Sequence, residues 1–201
     1  RPLKEGDRVA FPFFFPCHPC YHCIRGEHHA CTFRTRRNMV GLDAYPYCNG
    51  GFSEYYYLFP GHYVFKVPDE LPDQAVAAVN CAASQVVYGL HQAGMRMGDY
   101  VVIQGAGGLG LNATAMAKDM GADRVIILDR LSNRLELAEE FGADHTINIE
   151  EFNTAETRVQ RVWELTDGRG ADVVMELVGR AELLAEGIDM LSNGGTFVEI
   201  G

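Results

Sequence analysis

The sequence predicts an α/β protein: a doubly wound parallel sheet preceded by a smaller β-rich domain. Two observations carry this expectation. From residue 73 onward, short apolar runs alternate with segments of helical periodicity across short connections, the pattern of strand–helix–strand crossovers. Before that point, residues 1–72 are rich in proline, glycine and aromatic side chains and hold no long helical pattern. The expected domains are therefore 1–75 and 76–201.

In the first region Arg8–Phe11, Phe52–Leu58 and Tyr63–Val67 read as short strands. Asp73 stands where it can N-cap a helix from Gln74 to about Gln92. Strands are then expected near 100–104, 124–129, 145–149, 171–178 and 195–200, with helices near 109–120, 132–141, 154–166 and 181–191. Ser132 and Thr154 are candidate N-caps, and Gly142 and Gly168 candidate stops. Val159, Val162, Trp163 and Thr166 share one helical face, which makes the single tryptophan a core candidate.

The stretch Tyr100–Asp129 carries the first chemical signal. Gly105-Ala106-Gly107-Gly108-Leu109-Gly110 fits G-x-G-x-x-G between an apolar strand and a helix whose apolar positions include Ala113, Met116 and Ala117. The first glycine permits a tight turn, the second lets backbone approach a pyrophosphate, and the third lets the helix pack on the strand. The helix start offers unpaired N–H groups and a partial positive charge to the phosphates. Asp129 closes the next strand 19 residues after Gly110, where an acid can hold the ribose hydroxyls. A carboxylate there repels a 2′-phosphate, so NAD is expected over NADP, with Arg130 partly offsetting the repulsion.

The second signal is Cys17-x2-Cys20-x2-Cys23-x7-Cys31. Four thiolates at this spacing can surround one Zn²⁺ tetrahedrally with bonds of ~2.3 Å, and four protein ligands leave no position for substrate, so such a zinc is structural. Disulfides are the alternative, but cysteines with only two residues between them pair poorly with each other. His18, His22, His28 and His29 lie among the cysteines and are read as exposed loop residues.

Composition narrows the partners. The formal net charge is −10 with no basic block, which argues against nucleic acid or an anionic membrane surface. No apolar run approaches the ~18 residues of a transmembrane helix, and no signal-peptide pattern is seen, so a cytoplasmic location is expected. The first residue is not Met, and five strands are one fewer than a complete dinucleotide-binding domain has, so a longer protein is expected at both ends.

Together the four-cysteine lobe and the glycine turn resemble the zinc-containing, medium-chain alcohol and polyol dehydrogenases. The resemblance also runs through Gly6-Asp7-Arg8-Val9, Gly50-Gly51-Phe52-Ser53-Glu54-Tyr55, Asn80-Cys81-Ala82-Ala83-Ser84 and Glu176-Leu177-Val178-Gly179-Arg180. It implies part of a GroES-like β-barrel catalytic domain followed by a Rossmann domain, and hydride transfer between an alcohol or polyol, or the corresponding carbonyl, and NAD. It implies Cys81 as one ligand of a catalytic zinc, beside the structural zinc of Cys17, Cys20, Cys23 and Cys31. Gly105, Gly107, Gly108, Leu109, Gly110 and Asp129 are the implied cofactor contacts, with Arg134 at the adenosine ribose or phosphate and Val178 near the nicotinamide. A small-molecule substrate and a homo-oligomer, dimer or tetramer, are also implied. The rival readings are a zinc-independent NADPH-dependent quinone or enoyl reductase of the same superfamily, and a non-enzymatic zinc-binding module.

Overall fold

The computed structural model describes residues 2–33, 41, 43–45, 47 and 51–201. Gly50, part of the motif quoted above, lies outside the described residues. The chain packs as two units, Arg1–Cys81 and Ala82–Gly201.

In the first unit β1 (Val9–Ala10) pairs antiparallel with β2 (Phe65–Lys66), Val9 opposite Lys66. These are the cores of two of the three expected strands. The third, Phe52–Leu58, does not form. Its aromatic residues pack as rings instead of extending a ladder: Tyr56 lies 4.8 Å from Phe11, and Tyr57 lies 5.1 Å from Phe59, centroid to centroid. Phe15, only 1% exposed, anchors this unit against Phe59 and His62. A short helix, α1 (Tyr21–Ile24), and a 3₁₀ turn at His28–Ala30 shape the cysteine lobe.

The expected helix from residue 74 to 92 is interrupted. It runs as α2 (Asp73–Val76), a π-helical turn (Val79–Ala83) and α3 (Ser84–Gln92). Asp73 is not the cap; Pro72 occupies that position. The Asp73 carboxylate accepts from Nε and Nη2 of Arg8 at 3.1 and 2.7 Å, so it ties the helix to β1 and is drawn away from the helix N–H groups.

The second unit is a five-stranded parallel sheet in the order β5-β4-β3-β6-β7. Its elements are β3 (Tyr100–Gln104), α4 (Gly108–Asp119), β4 (Arg124–Asp129), α5 (Ser132–Glu140), β5 (His145–Asn148), α6 (Ala155–Leu165), β6 (Ala171–Glu176), α7 (Glu182–Asp189) and β7 (Leu191–Glu199). Strand alternation divides the core into two layers. Val101, Ile103, Val125, Ile127, Val173 and Met175 face α3, α4 and α5. Val102, Ile126, Leu128, Ile147 and Val174 pack with Val162 of α6 and Met190. The chain leaves β3 in one direction through β4 and β5 and in the other through β6 and β7, so a crevice opens between the carboxyl ends of β3 and β6, the usual ligand position in such sheets.

Thr154 caps α6, with the Thr157 N–H donating to its hydroxyl and a reciprocal bond returning. Leu131, not Ser132, stands at the cap of α5, because the Leu131 N–H is already turned onto Asp129. Strand β7 starts four residues before the expected 195, since a bulge opposite Ala171 and Val173 accommodates the extra chain. Trp163 is half-buried and not in the core; its Nε1 donates to the Asp189 carbonyl at 2.9 Å, where α6 meets the end of α7.

A buried ion pair joins α6 to α7. Arg158 meets Glu186 through Nε–Oε1 at 2.8 Å and Nη2–Oε2 at 2.6 Å, with side chains 13% and 4% exposed. Removing one partner strands the other charge, whereas replacing both by apolar side chains removes the desolvation cost as well. Glu186→Ala is therefore expected to lower stability by about 3 kcal/mol in urea denaturation, and Arg158→Met combined with Glu186→Leu by clearly less.

Candidate cofactor cleft and metal centre

The glycine turn follows β3 as its sequence requires. Gly105 sits at φ +103°, a conformation other residues rarely adopt, and its N–H donates to the Leu128 carbonyl at 2.8 Å. A Cβ at Gly110 would lie 1.8 Å from the Gly105 carbonyl oxygen, so only glycine lets α4 approach β3 this closely. A Cβ at Gly107 or Gly108 would meet nothing within 4 Å, so the backbone there borders open space. Gly107 caps α4 with no side-chain acceptor, leaving first-turn N–H groups for an anion. The Leu109 side chain turns the other way and packs against the core. These residues fit a pyrophosphate.

Asp129, 9% exposed, ends β4. Its Oδ2 accepts from the Ala106 N–H at 2.8 Å and its Oδ1 from the Leu131 N–H at 3.0 Å. Arg134 Nη1 stands 3.7 Å from Oδ2. One carboxylate thus holds the glycine turn and the start of α5 together. It has about four acceptor positions, so two backbone bonds leave room for the two hydroxyls of a ribose.

On the other side of β3, Glu176 ends β6 in the same way. It is fully buried and accepts from the Val178 N–H at 2.7 Å and the Gly179 N–H at 3.0 Å. This sets Val178 over the turn, where a Cβ on Gly105 would come within 2.7 Å of Val178 Cγ2.

A cleft of about 250 Å³ brings Gly105, Asp129, Arg134 and Val178 together. Gly107, Gly108, Leu109 and Gly110 do not line it; they lie at the start of α4 beside it. The cleft is completed by residues with no sequence signal, among them Gln104, Ile149, Arg158, Leu183 and Glu186. Glu176 had one: an acid closing an apolar strand, as Asp129 does.

In the first unit the Sγ atoms of Cys17, Cys20, Cys23 and Cys31 all lie within 4.8 Å of one another, with Cys20 and Cys31 at 3.9 Å. Tetrahedral bonds of ~2.3 Å place sulfurs about 3.8 Å apart, so this donor set fits one zinc. Burial raises the Cys17 thiol and pushes Cys23 up to about 12. The Cys23 backbone N–H pulls Cys20 down to about 6, and at Cys31 the N–H groups of Cys17 and Phe33 outweigh burial and lower it. Ionisation is thus easier at Cys20 and Cys31 than at Cys17 and Cys23, and a divalent cation would supply the charge that favours the thiolate form at all four. Two of the four neighbouring histidines have one ring nitrogen engaged elsewhere: His22 Nδ1 meets Glu27 at 2.9 Å and His18 Nε2 meets the Gly61 carbonyl at 2.9 Å. Cys81 is exposed, within the π-helical turn, in an interruption of a kind frequent at functional sites.

Both halves of the chain resemble known proteins. Residues 108–201 match the family model of the zinc-binding dehydrogenases, and residues 1–69 that of the alcohol dehydrogenase GroES-like domain. The chain is 34% identical over 195 residues to an L-threonine 3-dehydrogenase of Bacillus velezensis, covering 97% of this chain and 52% of that protein. It is 33% identical over 199 residues to a D-xylulose reductase A of Aspergillus oryzae, covering 99% and 53%. An alcohol dehydrogenase from Thermotoga maritima superposes with a TM-score of 0.87 at 33% identity, over 99% of this chain and 55% of that one. The chain thus spans about half the length of the curated relatives it matches. Among the described residues no helix is long and apolar enough to cross a membrane.

If the four thiols enclose a zinc, a strong chelator exposes them. Four additional thiols per chain are expected to react with an aromatic disulfide reagent after chelation, and added Zn²⁺ should protect them again. Equal reactivity before and after chelation would count against the metal centre.

Proposed function

The chain belongs to the zinc-binding, medium-chain dehydrogenase family, and from that premise we propose that the protein transfers hydride between an alcohol or polyol, or the matching carbonyl, and NAD(H). The observation that carries this reading is one chain holding both the Asp129-clamped glycine turn and the four-thiol cluster. A reductase that works without zinc has no use for the thiol cluster, and a zinc-binding interaction module has none for the turn.

In this reading the first turn of α4 holds the pyrophosphate, Asp129 accepts from the ribose hydroxyls, and Arg134 lies against the adenosine half. Val178 limits where the dinucleotide passes over Gly105. The Asp129 carboxylate disfavours a 2′-phosphate, so NAD is preferred. Bound NAD supplies the hydride-accepting chemistry, while the protein contributes placement and field. Cys17, Cys20, Cys23 and Cys31 hold a structural zinc. Cys81 would supply one thiolate to a second zinc, which would provide Lewis-acid chemistry at the substrate oxygen. The remaining partners are a small-molecule substrate and further copies of the same chain.

Cys81→Ala is the direct test. Turnover with alcohol and NAD should fall by at least about a thousandfold, together with loss of one of two zinc equivalents, while NAD affinity is unchanged. Retention of both turnover and the second zinc would refute the role given to Cys81.

A further inference from the structure

The two acids that close strands in this sheet are held differently. Asp129 has the Arg134 guanidinium 3.7 Å away. Glu176 is 0% exposed, and among the described residues no Lys, Arg or His forms an ion pair with it. Its oxygens accept from the Val178 N–H at 2.7 Å and from the Gly179 N–H at 3.0 and 3.1 Å. In place of a cation it faces a second carboxyl. Glu199 is its in-register partner on β7, so both side chains leave the same face of parallel strands about 4.8 Å apart, and the carboxyls come within hydrogen-bond reach. The chain then closes over the pair. The Ile200 and Gly201 N–H groups both donate to the Glu176 main-chain carbonyl at 3.2 Å, and a Cβ on Gly201 would lie 2.6 Å from Glu176 Oε2 and 2.2 Å from the Gly179 nitrogen.

Two carboxyl groups bond to each other only when one carries a proton. Backbone N–H groups can only donate, so Glu176 is the acceptor and the proton stands on Glu199. Desolvation of its carboxyl, and then the bond to Glu176 and the charge there, push Glu199 above the usual carboxylate range, against a smaller pull from the Gly201 N–H. The Glu199 residue is exposed, which gives the proton a route to solvent. Other charged groups of the packed elements have partners of their own: Arg180 with Glu182 at the start of α7, Glu186 of α7 with Arg158, and Asp172 at the opposite end of β6 with Arg169. Asp189 ends α7, Tyr100 starts β3, and Tyr88 and His91 belong to α3, on the sheet face taken by Met175, Val198 and Ile200.

We propose that Glu176 and Glu199 share one proton, and that this proton fastens the Val178–Gly179 loop to the end of β7, so the loop beside the cofactor cleft loosens as pH rises. The bond is complete below the ordinary carboxylate range and is lost as pH rises through the raised value of Glu199. What the loosening does to a cofactor rests on the NAD reading above.

Glu199→Gln supplies an amide N–H that donates at every pH, and it tests the lock. Amide hydrogen exchange, corrected for the intrinsic rate, should show Val178 and Gly179 opening at least about threefold more often at pH 8 than at pH 5 in the unmodified protein, with no such rise in Glu199→Gln. The same pH dependence in both proteins would overturn the inference and leave the NAD reading standing. Saturating NAD should slow exchange at both amides in either protein. If it does not, while the difference between the two proteins persists, the NAD reading fails and the proton lock is upheld.

Discussion

The second unit depends on one carboxylate. Asp129 sits at the tip of β4 and accepts from Ala106 in the glycine turn and from Leu131 at the start of α5. Hydrogen bonds to a charged acceptor in a nearly buried setting are among the stronger ones available to a protein. Here they fix two loops relative to β3 and β4 before any ligand arrives. Glu176 repeats the device at the tip of β6, where it fixes Val178 and Gly179. The crevice between β3 and β6 is thus bordered by loops that strand-tip acids hold in place, and the rigidity a dinucleotide needs comes from backbone N–H groups bound to carboxylates.

The first unit is organised differently. Its described strands are two residues each, and among the described residues its buried side chains are few: Phe15, Pro16, Cys23, Cys31 and Val67. Such a lobe has little apolar area with which to offset the entropy of ordering its loops. Ligation of a structural zinc can contribute on the order of 10 kcal/mol, which makes four converging thiols a sufficient local organiser. Ion pairs from Asp7 to Lys66 at 2.6 Å and from Asp73 to Arg8 then fasten the ends of β1, β2 and α2.

Much of this was legible in the sequence because the signals are local. The glycine hexapeptide, the acid at the end of β4 and the cysteine spacing each lie within a few dozen residues and each has one dominant physical reading. Legibility failed where distant residues compete for the same group. Asp73 looked like a cap until Arg8, 65 residues away, claimed its carboxylate. Phe52–Leu58 has the composition of a strand, but ring packing holds it and no partner strand pairs with it among the described residues. Trp163 has core periodicity, yet its N–H is directed to the Asp189 carbonyl and keeps the ring half-buried. The polar end of the cleft was invisible, since Gln104, Arg158 and Glu186 come from three separate elements and only the fold brings them together.

The central claim is that Asp129 makes this a cleft for a dinucleotide with an unmodified ribose. Calorimetric titration of the protein with NAD and NADP under one buffer and salt condition measures it most directly. The account predicts NAD to bind at least roughly tenfold more tightly, a difference of about 1.4 kcal/mol. Dissociation constants that are comparable, or lower for NADP, would contradict it.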